Sequence, residues 1–247
     1  MDQLTLITGT LCILLLLTIY IIYNFFNKKY YSETEITIVI FNNKPSQKLG
    51  FIINTLKKYR NVAQIIIIHF TENLSKNYQD PKILSIDDFS EEQKLFKFTK
   101  FINKIETEAI LFLDNETLFT ELFLLKILER YDLDIESIYG TTHCLCDEKG
   151  YHTNSLTRNV VHDDIMLTSK KLCKNIMRDF YLQKPLIETC KKEKGDLDDL
   201  LFDYFFKTNY NKLPSVVNGK FIHYGKNTKK SKNLKKKRNL FCQQLYK

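Results

Sequence analysis

Tryptophan is absent from this chain, and glycine (7) and proline (4) are scarce among its 247 residues. No G-x-x-x-x-G-K-[ST] phosphate loop, no G-x-S-x-G nucleophile elbow and no C-x-x-C pair occurs. These absences remove a P-loop NTPase, a serine hydrolase of the elbow type and a C-x-x-C redox module. Six cysteines, at 12, 144, 146, 173, 190 and 242, are too sparse for a disulfide scaffold in a chain this long, so mostly free thiols are expected. His143, Cys144, Cys146 and His152 are zinc-capable, but their spacing is not that of structural zinc. There is no internal repeat.

The net charge of +8 is local. Lys226, Lys229, Lys230, Lys232, Lys235, Lys236, Lys237 and Arg238 supply as many positive charges as the whole excess, so the rest of the chain is neutral. A neutral body is not a basic nucleic-acid platform, and nucleic acid is not an expected partner. The basic run reads as a solvated, mobile tail, with anionic lipid headgroups as a further partner if it faces the cytoplasm.

No charge interrupts Leu4 to Phe26. That length matches the ~20 apolar residues a helix needs to cross a bilayer. Tyr20, Tyr23, Phe25 and Phe26 lie where an interfacial aromatic belt belongs, and Lys28 and Lys29 close the stretch. It lacks the basic start and small-x-small exit of a cleaved signal peptide, so an uncleaved single-pass anchor in an endomembrane is expected. The flanking charges favour a cytoplasmic body, and the N-x-[ST] sequons at Asn73 and Asn115 leave the side open.

The expected organisation is an anchor over 1–29, a short stem over 30–35, one domain over 36–225 and the basic tail over 226–247. Within the domain, ITIVIF (36–41), QIIIIHF (64–70) and AILFLD (109–114) are continuous apolar runs, read as buried strands. Lys82–Ile86 is a shorter candidate. Ser46–Tyr59, Phe89–Ile105, Leu118–Tyr131, Asp164–Phe180 and Asp196–Thr208 have helical spacing. Asp88 and Glu91 suggest a capping box for the second of these. Asp163 and Asp164 read as caps of the fourth. Ser137–Leu145 and Ser215–Tyr224 are weaker strand candidates. Strands alternating with helices predict an α/β fold with a mostly parallel sheet covered on both faces. Ligands of such sheets bind beyond the carboxyl ends of the strands, here after Phe41, after Phe70 and at Asp114.

Asp114-Asn115-Glu116 stands at such an end. Residues i and i+2 of extended backbone point the same way, so two carboxylates can share one hard cation. Mn²⁺ or Mg²⁺ there would offset charge on a leaving nucleoside diphosphate. The competing structural reading makes Asn115–Thr117 the N-cap of the next helix. Asp196, Asp198 and Asp199 likewise open a helical run, as a cap or as cleft carboxylates. His69 and His223 are lone histidines beside apolar residues, where a structural role competes with a ligand role.

The stretch Ile105 to Glu116 (IETEAILFLDNE) resembles the I-x-T-E-A-V-L-x-L-D-D-D segment of the exostosin-like glycosyltransferases. Further segments keep that family's order. Ile36 to Lys44 is similar to its first strand and a shortened Y-N-R turn, with Asn43 and Lys44 on the last two positions. Leu95 to Phe98 resembles L-N-x-R-F, with Lys97 at the arginine. Met166-Leu167-Thr168 resembles V-L-T, and Asp196 to Leu200 resembles N-C-E-D-I. The resemblance covers most of 36–217, and only 105–116 is individually specific. It departs where Asn115 and Glu116 replace aspartates, where the tyrosine near Asn42 is missing, and where an arginine after Gly140 reads Thr141 or Thr142.

The resemblance implies a GT-A fold and transfer of an N-acetylhexosamine from a UDP-sugar to a glycan or glycoprotein acceptor. It implies Mn²⁺ or Mg²⁺ held by Asp114 and Glu116, with His223 as a C-terminal ligand. Asn43, Lys44, Lys97 and Asn115 then fall on the donor side, and Asp198 and Asp199 near the acceptor and the reacting carbon. The family implies a retaining reaction; in an inverting enzyme Asp199 would be the general base, and the residues alone leave the two open. Two other classes stay in view: a non-catalytic GT-A-like membrane scaffold, and a membrane-tethered polyanion binder acting through the tail.

Overall fold

The three apolar runs become the middle of one sheet because each is β-branched or aliphatic on both faces and can be buried from both sides. In a computed structural model these are β1 (Ile36–Asn42), β2 (Val62–His69) and β4 (Ala109–Asp114), with β3 (Ile83–Asp87) beside β2. The structure describes residues 11, 13–20, 30–76, 78–90, 98, 100–141, 143–147, 149–152, 160–161, 165–183, 188, 198–224 and 232–245. The chain divides into two compact units, Met1–Tyr31 and Ser32–Lys247. In the first, residues 11 and 13–20 are helical, with Leu14, Leu15, Leu16 and Leu17 exposed. Among the described residues no helix is long and apolar enough to cross a membrane; positions 1–10, 12 and 21–29 lie outside that description, and with them most of the expected anchor.

The remaining elements of the second unit are α1 (Leu49–Leu56), β5 (Thr117–Phe119), α2 (Glu121–Leu133), β6 (Tyr139–Gly140), β7 (His143–Asp147), β8 (Gly150–His152), β9 (Val160–Val161), β10 (Ile165–Ser169), α3 (Lys170–Tyr181), α4 (Asp198–Tyr210), β11 (Ser215–Val216), β12 (Phe221–His223) and α5 (Lys232–Leu245). Strand order in the main sheet is β11-β6-β10-β4-β1-β2-β3. The pairs β4–β1, β1–β2 and β2–β3 are parallel, while β10 runs antiparallel to both β4 and β6. The chain builds outward from β1 to β3 and then crosses to the other side of β1 to lay down β4. That reversal puts the topological switch point between the carboxyl ends of β1 and β4.

Alternation along β1 and β4 divides the core into two layers. Ile36, Ile38 and Ile40 join Leu111 and Leu113 against α1 and α2. Val39, Phe41, Ile110 and Phe112 face the opposite layer, with Phe98, α3, α4 and the buried side of α5. Phe112 stacks on Phe41 at 6.0 Å and meets the Phe98 edge at 4.8 Å.

Several sequence expectations are corrected. The helix read from Leu118 begins at Glu121, and its N-cap is Thr120, whose hydroxyl accepts the Phe123 N–H, not a residue of 115–117. Residues 117–119 form β5 because β12 offers them an antiparallel partner. Of the helix read from Asp164, Ile165–Ser169 is instead the strand β10; its IMLTS run has buried neighbours on either side in the sheet. The expectation of free thiols fails at Cys146, which is bonded to Cys242, whereas Cys173 is a free, buried thiol. That bond also removes Cys146 from any zinc cluster. The solvated-tail reading fails over Lys232–Leu245, where Arg238, Phe241, Cys242 and Leu245 are buried. Their i, i+3, i+4, i+7 spacing is a helical stripe that the lysines around it obscure. Residues 91–97, among them Glu91 and Lys97, and residues 163, 164 and 196 lie outside the described residues. Asp88 accepts the Ser90 N–H and pairs with Lys100.

Phe112→Ala removes the ring at the centre of the second layer. It is expected to cost about 3–5 kcal/mol, read as a lower midpoint in urea denaturation.

Candidate metal centre at the switch point

Parallel register makes the carboxyl ends of four strands level. Asn42, the last residue of β1, pairs with His69, the last of β2, and Asp114 lies beside Phe41. Asn115 follows β4 into a tight turn and is fully buried. Its amide nitrogen donates to Asn42 Oδ1 at 2.9 Å and to the Lys44 carbonyl at 2.7 Å. Two acceptors on that side fix which end of the amide is NH₂, and Asn115 Oδ1 has no partner among the described residues.

The same chain of bonds continues across the sheet. Asn42 Nδ2 meets His69 Nδ1 at 2.8 Å, and His69 Nε2 meets Ser85 Oγ at 2.7 Å. Ser85 spends its hydroxyl hydrogen on the Lys76 carbonyl. Ser85 Oγ therefore accepts from His69, which places the histidine proton on Nε2 and leaves Nδ1 to accept from Asn42. His69 is thus a neutral structural bridge. Burial pushes its pKa down, against an opposing pull from Asp87.

Asp114 and Glu116 flank Asn115 and stay partly open, with side chains 19% and 16% exposed. The antiparallel pair β5–β12 brings a third group to them. Thr117 lies opposite His223, and its hydroxyl meets His223 Nδ1 at 2.9 Å. Entry into β12 is set by Gly219, which lies so close to the Phe123 ring that a Cβ there would collide with it. The outcome is one candidate cluster among the described residues: ligand atoms from Asp114, Glu116 and His223 all lie within 4.8 Å of one another. Two carboxylates and one imidazole fit a hard or borderline divalent ion, and Mn²⁺ better than Mg²⁺, which prefers oxygen and water. A ring nitrogen held by a hydroxyl is the outer support a metal-bound histidine commonly has.

Lys44 reaches the same place from the loop after β1. Its Nζ lies 2.5 Å from Glu116 Oε2 and 3.9 Å from Asp114 Oδ2. Asn43 beside it is exposed. Asp198 and Asp199 open α4, and their side chains, like Lys97, lie outside the described residues. Of the two sequons, Asn73 is exposed in the turn Glu72–Leu74 and Asn115 is inaccessible. The chain Asn42–His69–Ser85 and the support from Thr117 were missed from the sequence. Their only trace there is a polar residue in or at the end of an otherwise apolar strand.

No family model and no curated protein matches the sequence. Solved structures do. GalNAc-T7, crystallised with UDP, GalNAc and Mn²⁺, superimposes with a TM-score of 0.50 at 10% identity, over 59% of this chain and 37% of that one. The chain therefore spans just over a third of that protein's length. The 4-diphosphocytidyl-2C-methyl-D-erythritol synthase of Anaerococcus prevotii superimposes with a TM-score of 0.51 at 13% identity, over 85% of this chain and 95% of that one. The fold is GT-A-like. At these identities the likeness is one of fold, a mostly parallel sheet with the switch point described above, and the exostosin-like family itself is not shown.

Two outcomes follow from the buried bridge. Asn115→Ala strands two acceptors at about 1–3 kcal/mol; Asn115→Asp sets a carboxylate against them and is expected to cost more, both read by chemical denaturation. Because the folded pKa of His69 is lowered, the unfolded chain takes up a proton near pH 6.5 that the folded one refuses. Stability is therefore expected to hold above that pH and to fall as pH drops below it, with a shallower fall in His69→Gln.

Proposed function

We propose that this protein is a metal-dependent glycosyltransferase using a UDP-sugar, with an N-acetylhexosamine as the transferred unit and a glycan or glycoprotein as acceptor. The observation that carries the reading is the Asp114, Glu116 and His223 cluster at the switch point of a GT-A-like sheet. A crevice there is where such sheets take a nucleotide, and a cation among these groups would face its diphosphate. Asp114, Glu116 and His223 would hold the ion, and Thr117 would orient the His223 ring. The ion, when bound, supplies positive charge to a leaving nucleoside diphosphate.

The chain's own residues do the rest. Asn115 holds the loop that carries Asn43 and Lys44 against the site. The sugar identity, retention at the anomeric carbon, and the acceptor-side roles of Asp198 and Asp199 rest on the exostosin-like resemblance. Anchoring through residues 4–26 is part of the same proposal, supported by the charge-free apolar sequence and by the exposed leucines of its helical portion. Contact of the lysine run with anionic lipid remains a proposal for the exposed side of the C-terminal helix.

Nucleotidyl transfer has one observation in its favour, the near full-length likeness to the diphosphocytidyl compound synthase. A thermal-shift series separates the readings. The full chain in detergent is titrated with Mn²⁺ and UDP, GDP, CDP or CTP, beside the Asp114→Ala, Glu116→Ala double variant. A Mn²⁺-dependent rise of roughly 5–10 °C with UDP near a hundredfold Kd, absent in the variant, is expected. A rise with CTP alone would favour nucleotidyl transfer. No rise with any nucleotide would leave the scaffold reading.

A further inference from the structure

Two carboxylates at the mouth of a buried strand repel each other unless a cation lies between them. In this structure that cation is part of the chain. The Lys44 ammonium is within ion-pair distance of both, 2.5 Å from Glu116 Oε2 and 3.9 Å from Asp114 Oδ2. The geometry points to Lys44 as a resident counter-cation of the metal centre, exchanged for the divalent ion when that ion binds and so setting how tightly it binds. The inference rests on the metal reading proposed above.

Three features support an exchange. The carboxylates that Lys44 engages are two of the three groups of the candidate metal set, so the ammonium and a divalent ion compete for the same oxygens. The Lys44 side chain is 48% exposed, and its flexible four-carbon stem lets the ammonium swing into water at little cost. The backbone beneath it does not share that freedom: its carbonyl is pinned at 2.7 Å by the buried Asn115 amide. The lysine therefore leaves without loosening the loop and returns to the same place. A cation so tethered offsets one of the two negative charges of Asp114 and Glu116 in the metal-free protein, and lowers apparent metal affinity by the factor by which it must be displaced. His223, held by Thr117, carries no negative charge for Lys44 to engage and supplies the ion's nitrogen donor.

The test is a Mn²⁺ titration of the full chain in detergent, read by the electron paramagnetic resonance signal of free Mn²⁺ without any nucleotide. Wild type is compared with Lys44→Met, which keeps the stem and removes the charge, and with Lys44→Arg, which keeps both. Lys44→Met is expected to bind Mn²⁺ about tenfold more tightly, a change of roughly 1.4 kcal/mol, and Lys44→Arg to stay within threefold of wild type. Measurable binding by Lys44→Met where wild type shows none would support the exchange in its strongest form. Equal or weaker binding by Lys44→Met would overturn the exchange while leaving the metal reading intact. Absence of binding in all three, with unchanged circular dichroism melts, would overturn both.

Discussion

The site depends on one line of hydrogen bonds, buried at Asn115, Asn42 and His69. Asn115 donates to Asn42, Asn42 to His69, and His69 to Ser85, so that one chain of amides and an imidazole crosses the carboxyl ends of β4, β1 and β2 and reaches the middle of β3. Buried polar groups are costly unless paired, and here each link has its direction fixed by the next. The Lys76 carbonyl takes the serine hydrogen, which fixes the histidine tautomer, which orients the Asn42 amide toward it. The strand ends cannot slide or splay without breaking the line.

From that constraint the acidic site follows. Because Asn115 is locked inward, its neighbours Asp114 and Glu116 are presented outward together, on the crevice where strand order reverses. The same amide holds the Lys44 carbonyl, so the loop after β1 is fastened to the turn after β4. The third element comes from far along the chain: β12 closes on β5, and the contact between Gly219 and Phe123 sets its approach. A carboxylate pair that is local in sequence thereby meets a histidine more than a hundred residues away.

Much of the sheet was legible, for a simple reason. The runs of β1, β2 and β4 are apolar on both faces, short and rich in β-branched residues, the pattern of strands buried in a parallel sheet. Short strands were not legible in the same way. Thr117–Phe119 and Ile165–Ser169 take their form from a partner strand rather than from their own periodicity, and Leu118, Phe119 and all of Ile165–Ser169 were read as helix. The C-terminal helix was hidden by composition: lysines dominate it, and the buried stripe of Arg238, Phe241, Cys242 and Leu245 becomes visible only once the β-hairpin partner of Cys242 is known.

By itself the sequence established the α/β class, the strand that ends in Asp114, and the i, i+2 pairing of Asp114 with Glu116. All three are properties of neighbouring residues, although a turn at Asn115 and Glu116, not the extended backbone expected, presents the two carboxylates together. The register of β1 against β2 and β4, the inward turn of Asn115, the arrival of His223 and the position of the Lys44 ammonium were set by the folded chain. Each is a distance between residues remote in sequence, fixed by packing and by the need to satisfy buried polar groups, and no local pattern encodes such a distance.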